Sequence, residues 1–301
     1  MKIKVCLMAV IALLAASFTA SAATILEKDG TKLSLKGDYQ IQLRQDIGED
    51  EDLYVDYDDL TVTFDAKQEL DYGWTAFGVL KMDWKGQAHG DVDNAVDEGF
   101  VGVDFGMVAV SMGRLDWGSD DFEVEEAIEF DGGFAVPESG GSDSARVDVD
   151  LDVVKAALSG DLEVEDNESA AEAYIYTGFK GLEAGVLYQN YKDNADADSL
   201  DTIGVRAGYD VGPVYLAADY TTNDDQDNVN AVVVVPILSK TKVALGYGLE
   251  SPDDSAADDI NSWYANVVHK LGGGVSVHAE IGDTDEDGTD MGYLAGLRFK
   301  F

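Results

Sequence analysis

The chain has 301 residues, with 60 acidic against 20 basic side chains, a formal charge of −40, yet 46% of its residues are hydrophobic and 10% aromatic. Such a charge repels phosphate and excludes nucleic acid as a partner, while the apolar content is too high for a disordered polyanion. A compact soluble globule would strain against its own repulsion, so the fold must shield the apolar half while leaving the acids in water.

The chain opens on a targeting segment. Lys2 and Lys4 form a short basic region, Val5 to Ala16 an apolar one, and Ala20-Ser21-Ala22 the small-x-small pattern of a cleavage site. Residues 1–22 are therefore expected to be a signal peptide, with 23–301 as one mature domain. The apolar stretch is shorter than the roughly 20 residues of a spanning helix, and no later run approaches that length. Cys6, the only cysteine, falls in this segment, so the exported chain has no disulfide or thiol to use.

From Leu33 onward the dominant period is two. Leu33, Leu35, Gly37, Tyr39, Ile41 and Leu43 alternate with Ser34, Lys36, Asp38, Gln40, Gln42 and Arg44. Leu60, Val62, Phe64 and Ala66 alternate with Thr61, Thr63, Asp65 and Lys67, and Met291, Tyr293, Ala295, Leu297, Phe299 and Phe301 enclose Arg298 and Lys300. Each is a strand with one apolar and one wet face. Segmentation at turn residues predicts about sixteen strands. They lie near 31–45, 54–70, 73–85, 97–105, 107–115, 145–153, 154–164, 170–180, 181–193, 199–211, 213–223, 228–239, 241–251, 261–271, 274–283 and 290–301.

The connections sort by parity. After even-numbered strands they are tight, as at Asp71-Tyr72-Gly73, Phe105-Gly106, Lys180-Gly181 and Ser239-Lys240. After odd-numbered strands they are longer and acidic, as at 46–52, 91–98, 193–201, 223–227, 253–259 and 283–290. Short turns at one end and long loops at the other describe an up-and-down barrel of the outer-membrane type. In hydrocarbon every backbone polar group needs an internal partner, so an exported all-β chain can span only as a closed barrel. Apolar side chains then face lipid, and the acids face water in lumen and loops. Tyr72, Trp74, Trp84, Tyr188, Tyr191, Trp263 and Tyr264, at strand ends, fit interfacial girdles, though some could equally face the lumen or a neighbouring subunit.

Several segments resemble the general trimeric porins of Gram-negative bacteria. Ala23 to Gly37 resembles that family's first strand. Phe100-Val101-Gly102-Val103, followed by Gly113-Arg114 and Trp117-Gly118, resembles its fourth and fifth strands and the start of its constriction loop. Pro137-Glu138-Ser139-Gly140-Gly141 resembles the loop's Pro-Glu-x-Gly-Gly signature. The last strand, with Tyr293, Phe299 and Phe301, resembles the C-terminal signal read by the barrel-assembly machinery. The resemblance implies an all-β transmembrane barrel of about sixteen strands and a homotrimer in outer-membrane lipid and lipopolysaccharide. It also implies a third loop, about 116–145, folded into the lumen as an eyelet, and passive passage of ions and small hydrophilic solutes without a cofactor. In the family an acidic loop faces a basic wall. Glu138 carries over as an eyelet acid and Arg146 as a wall cation. The other wall positions fall on Asp38, Thr61 and Asp97, none of them basic, and a second loop acid falls near Phe134, leaving Asp131 to replace it.

The loop is densely acidic: Asp116, Asp120, Asp121, Glu123, Glu125, Glu126, Glu129 and Asp131 occur without one basic residue among them. In a narrow bore such carboxylates focus a negative potential that concentrates cations and repels anions. Lys36, Arg44, Lys67, Lys81 and Arg146 alternate toward the lumen as partial offsets; Arg114, Asp38 and Asp97 complete the expected pore wall. A preference for small cations is the expectation; the same acids read equally well as a solvated outer loop. A channel for one particular solute and a non-conducting structural or adhesion barrel are the alternatives. Asp283, Asp285 and Asp287 precede Gly288 as in half of an EF-hand, but the twelfth position is Leu294 and no helices flank it. Weak calcium or magnesium binding there competes with an ordinary acidic loop. His89, His269 and His278 fall in separate parts of the predicted barrel, and no nucleophile motif accompanies them, so no enzyme is expected.

Overall fold

The computed structural model describes residues 22–301 except 86, 87, 89–94, 125, 131, 132, 134, 135, 163–168, 193–197, 255 and 256. The expected signal peptide therefore lies outside the described residues save for Ala22, as do Glu125, Asp131 and His89. Seventeen strands follow in order: β1 (Ala23–Lys28), β2 (Thr31–Gln45), β3 (Tyr54–Glu69), β4 (Thr75–Asp83), β5 (Val96–Asp104), β6 (Val108–Asp116), β7 (Gly140–Leu151), β8 (Val154–Asp161), β9 (Ser169–Phe179), β10 (Leu182–Lys192), β11 (Leu200–Val211), β12 (Val214–Thr222), β13 (Gln226–Leu238), β14 (Thr241–Pro252), β15 (Ile260–Gly272), β16 (Val275–Thr284) and β17 (Gly292–Lys300). Each of β2 to β16 pairs antiparallel with the next, and β17 pairs back onto β2 from Tyr293–Gln45 to Lys300–Asp38. The result is a closed barrel of sixteen strands, matching the sequence reading strand for strand. Among the described residues no helix is long and apolar enough to cross a membrane; the crossing is made by strands, whose closure leaves no unpaired edge.

The period-two pattern becomes a barrel turned inside out. Ile41, Leu43, Val101, Met112, Ile175, Val186, Ile203 and Leu245 are exposed, while Gln40, Gln42, Ser111, Glu172, Gln189, Thr202 and Glu280 are buried. A soluble protein could not afford that arrangement; a bilayer around the barrel covers the apolar face and the lumen keeps the polar one. Two of the strand-end aromatics that fit either girdle or lumen face the lumen. Tyr264 is 2% exposed and belongs to an interior cluster, and Tyr191 packs against buried Leu115, Trp117 and Ala170. Both sit where alternation turns them inward. Trp74 and Phe105 meet edge to face, with ring centroids 4.9 Å apart, at the short-turn end. The parity of loop lengths has one exception: β12 and β13 are joined by residues 223–225 alone, where Asn223 Oδ1 accepts from the amides of Asp225 and Gln226.

Beyond the expected strands, β1 turns through Asp29 and Gly30, both at positive φ, and pairs with β2 from Ala23–Leu35 to Lys28–Thr31. It thus continues the line of β17 along the lower half of β2. The start of β1 and Phe301, which follows β17, meet there. Gly37 and Phe301 exchange both backbone hydrogen bonds at 3.0 Å, and the Phe301 ring lies over Gly37 so closely that a Cβ would stand 2.2 Å from its edge. Only glycine admits the ring. Gly37→Val is therefore expected to block closure of the barrel, read as loss of the heat-modifiable folded band on an unboiled gel. A folded band of wild-type intensity would show that the seam tolerates a side chain.

Candidate functional site

The described residues of 117–139, between β6 and β7, lie inside the barrel and are fastened to its wall almost strand by strand. Three buried wall carboxylates accept backbone amides of the loop. Glu172 on β9 takes Ser119 N at 3.0 Å, and Asp219 on β12 takes Val124 N at 3.1 Å. Glu280 on β16 takes Ile128 N, Glu129 N and Phe130 N at 2.7, 2.8 and 2.9 Å. Neutral side chains complete the attachment: Tyr264 OH accepts from Glu126 N at 2.8 Å, Asn266 Nδ2 donates to Glu126 O at 2.6 Å, and Gln189 bonds both backbone groups of Glu138. A buried carboxylate without partners is costly; one surrounded by amides satisfies itself and the loop together.

Apolar side chains of the loop point the same way. Trp117, Phe122, Val124 and Phe130 are 0–5% exposed. Phe122 packs on Tyr174 and Leu187, and Phe130 on Tyr264 and Leu294. Phe130 is seated over Gly282 and Gly292, where an added Cβ would come within 2.6 and 2.8 Å of it. Each fully buried aromatic is worth about 1.5–3 kcal/mol. Further anchors are Ser144 on β7, which accepts from Trp117 Nε1, Arg206 on β11 to Asp121 O, Asn230 on β13 to Gly133 O, Lys242 on β14 to Glu126 and Gln42 on β2 to Glu129, so the loop is held by β7, β9–β17 and β2. The lumen is therefore constricted between the loop on one side and the inner faces of β3–β6 on the other.

The charges of this constriction differ from an acidic loop facing a basic wall. Glu129 is neutralised by Arg44, which also reaches Asp46 and Asp56, and Gln42 donates to Glu129 at 2.7 Å. Glu126 is paired with Lys242. The opposite wall carries Asp56, Asp58, Asp59, Asp97, Glu98 and Asp116, with Lys81 shared between Asp97 and Glu98 at 2.7 and 3.3 Å. Asp120 and Asp121, at the start of the loop, lie near Asp116, and Asp121 also borders Arg206 on β11. Removal from water, then the nearby charges of Asp116 and Asp121, raises the Asp120 carboxyl above its ordinary value. Both sides of the bore are acidic at this level.

Most wall residues named from the sequence line the lumen, though not as one cluster. Lys36 pairs with Asp65 at 2.9 Å, Arg146 holds Asp148 and donates to Asp116 O at 3.0 Å, and Asp38 is gripped by Arg298 and Lys300. Lys67 lies across from Lys32 at the short-turn rim. Arg114 is corrected: it is exposed beside Met112, on the face of β6 opposite buried Ser111 and Leu115. Near the long-loop edge its head can reach the interface at little cost. Of the loop acids, Asp120, Asp121 and Glu123 are exposed, Asp121 lining a cavity with Tyr174, Tyr176 and Arg206; Glu138 is half-buried beside Gln189. Asp285 spends its carboxylate on Asn261, at 2.7 Å to N and to Nδ2, and Asp283 caps Thr284 N at 3.1 Å. With Asp287 they form no metal-holding group, and none exists elsewhere among the described residues. His269 bonds Thr241 and His278 lies 3.4 Å from Gln42, on different strands. The sequence reading missed Arg206, Lys242 and the anchors Glu172, Asp219 and Glu280. Their signal was faint but present: each is an isolated charge at an inward position of an alternating strand.

A profile of the Gram-negative porins matches residues 9–289. Porin-like protein H of Photobacterium profundum is 26% identical, over 97% of this chain and 98% of its own. Among solved structures, the trimer form of OmpT, an outer membrane protein of Vibrio cholerae, superposes with a TM-score of 0.78 at 17% identity, covering 91% of this chain and all of that one. The anion-selective porin from Comamonas acidovorans gives 0.77 at 11% identity, covering 90% and 100%. The barrel alone thus leaves the sign of selectivity open. With the inside-out barrel, the lumenal loop and the matched profile, this chain belongs to the Gram-negative porin family and is a channel of the outer membrane.

Proposed function

We propose that the channel is a passive, non-catalytic pore that prefers cations among the ions and small hydrophilic solutes it passes. One observation carries this reading: the wall facing the eyelet loop bears six carboxylates on β3, β5 and β6, against which stand Lys81 on Asp97 and Glu98, Arg44 on Asp56, Arg298 on Asp59 and the bordering Arg146, while the loop adds Asp120, Asp121 and Glu123. A cation crossing the gap meets negative charge on both flanks, and an anion is repelled by both. A homotrimer, assembled into lipid and lipopolysaccharide by the barrel-assembly machinery after removal of residues 1–22, is the working form we assign; the trimer form of the Vibrio cholerae protein supports it. Calcium or magnesium would be held by the outer acidic loops only as screening ions, since Asp285 is already engaged by Asn261.

Reconstitution in a planar bilayer tests the proposal. Under a KCl gradient the reversal potential is expected to report potassium preference, with closures in groups of three. Millimolar calcium on the long-loop side should reduce that preference, and chelator should restore it. A chloride preference would overturn the reading.

A further inference from the structure

The hairpins of β13–β17 are charged oppositely at their two ends. Segments 231–249, 263–279 and 291–301, which contain the short-turn ends of these strands, have no acidic side chain but carry Lys240, Lys242, Lys270, Arg298 and Lys300. Segments 250–259 and 280–290, at the long-loop ends of the same strands, are rich in acids and have no basic residue. In a chain with 60 acids among 301 residues, this is a segregation along the pore axis.

The basic end is gathered in space. Lys242, Lys270, Arg298 and Lys300 line one cavity of about 660 Å³ beneath loop residues Glu126 to Ile128. Ser276 on β16 separates Lys270 on β15 from Arg298 on β17 in the strand register. Lys242 is paired with Glu126, Arg298 and Lys300 with Asp38 at 2.6 and 2.9 Å, and Arg298 also with Asp59 at 2.7 Å; Asp58, held by Gln40, lines the β3 side of the same cavity. Lys240 and Lys270 have no ion-pair partner among the described residues; Lys240 reaches only Leu271 O, at 3.4 Å. An ion entering from the long-loop side therefore passes an acidic mouth and eyelet, then a wall of β13–β17 on which Lys240 and Lys270 stand unpaired.

We propose that this series makes the channel an ion rectifier, passing more current when the long-loop side is positive. The inference rests on the channel reading above. With that polarity, cations drawn through the acidic half and anions drawn through the basic half converge and raise the carrier density between them. The opposite polarity pulls both away and depletes it. Fixed charges act over about 10 Å at 0.1 M salt and about 3 Å at 1 M, so the asymmetry belongs to dilute solutions.

The test is a single-channel current–voltage curve of the full chain, its orientation read from a biotin on Asp287→Cys bound by streptavidin in one chamber. The expected result is a current ratio of about twofold at opposite voltages in 0.1 M KCl, falling toward one at 1 M as screening shortens. K240E/K270E, which touches neither the loop nor its anchors, should abolish the ratio, and the gentler K240Q/K270Q should lower it part way. A straight line from a conducting, cation-preferring pore would overturn the rectifier and leave the channel reading standing, as would an unchanged ratio in both double variants. A folded barrel that carries no current would remove both.

Discussion

Replacing Glu280 by alanine is expected to free the tip of the eyelet loop and give a larger, noisier single-channel conductance. One carboxylate accepts three consecutive loop amides, from Ile128, Glu129 and Phe130, and a fourth bond from Asn266 Nδ2 at 2.9 Å. It is 1% exposed. Each buried donor left without an acceptor costs about 1–3 kcal/mol, of which lumen water recovers a part. The remaining loss of several kcal/mol exceeds what the Phe130 side chain supplies by burial, about 1.5–3 kcal/mol. Glu280→Gln should fall between: its oxygen still accepts from Glu129 and Phe130, but its amide group now points a donor at Ile128 N and Asn266. Strand pairing is untouched, so the folded band on an unboiled gel should persist in both. If the alanine variant conducts as wild type does, the apolar seats of Phe122 and Phe130 and the remaining wall bonds hold the loop without Glu280.

Neutralising the inward acids at the loop's start, as D120N/D121N/E123Q, is expected to lower the cation-to-anion permeability ratio roughly tenfold. A carboxylate about 8 Å from a passing ion is worth about 0.5 kcal/mol in water, favouring a cation and opposing an anion alike, and screening at physiological salt removes much of the sum. Acid should act in the same direction. The Asp120 carboxyl is raised above its ordinary 3.8 by loss of water contact and by Asp116 and Asp121, against the weaker pull of Lys81 and Arg146. Cation preference should therefore begin to fall at a higher pH than protonation of solvated loop acids would explain. The linked stability has a definite sign. A folded value above the unfolded one means that the charged form opposes the folded loop at neutral pH, so stability from this group rises as pH drops through the raised value. Asp285 behaves oppositely. Hydrogen bonds from Asn261 lower it, so its contribution is present above the unfolded value and is lost as pH falls through the lowered one. Reversal potentials measured across this range, with the triple variant as control, separate the two. A ratio unchanged by the triple variant would place the selectivity on the β3–β6 wall alone.

Period-two alternation and the parity of connections were enough to number the strands, place nearly all their ends within a few residues and decide which face meets lipid. Those properties are local: the side-chain direction of a strand follows from position, and a tight turn is written in two or three adjacent residues. Tyr264, Tyr191 and Arg114 show where local reading stops. Aromatics and cations near strand ends fit either face, and one residue of register decides between them.

The eyelet was visible as an acidic, porin-like stretch, but its attachment was not. Ile128 and Glu280 are separated by 152 positions, and nothing near either one announces the other. The same distance hides the pairing of Glu126 with Lys242 and of Glu129 with Arg44, which together decide how much of the loop's charge an ion meets. The amino-acid order by itself determined a closed wall with an apolar outside and a strongly acidic inside, because those follow from neighbours along a strand. Which carboxylates remain unopposed in the bore was decided only when closure brought distant strands to face each other, because electrostatic compensation depends on separation in space.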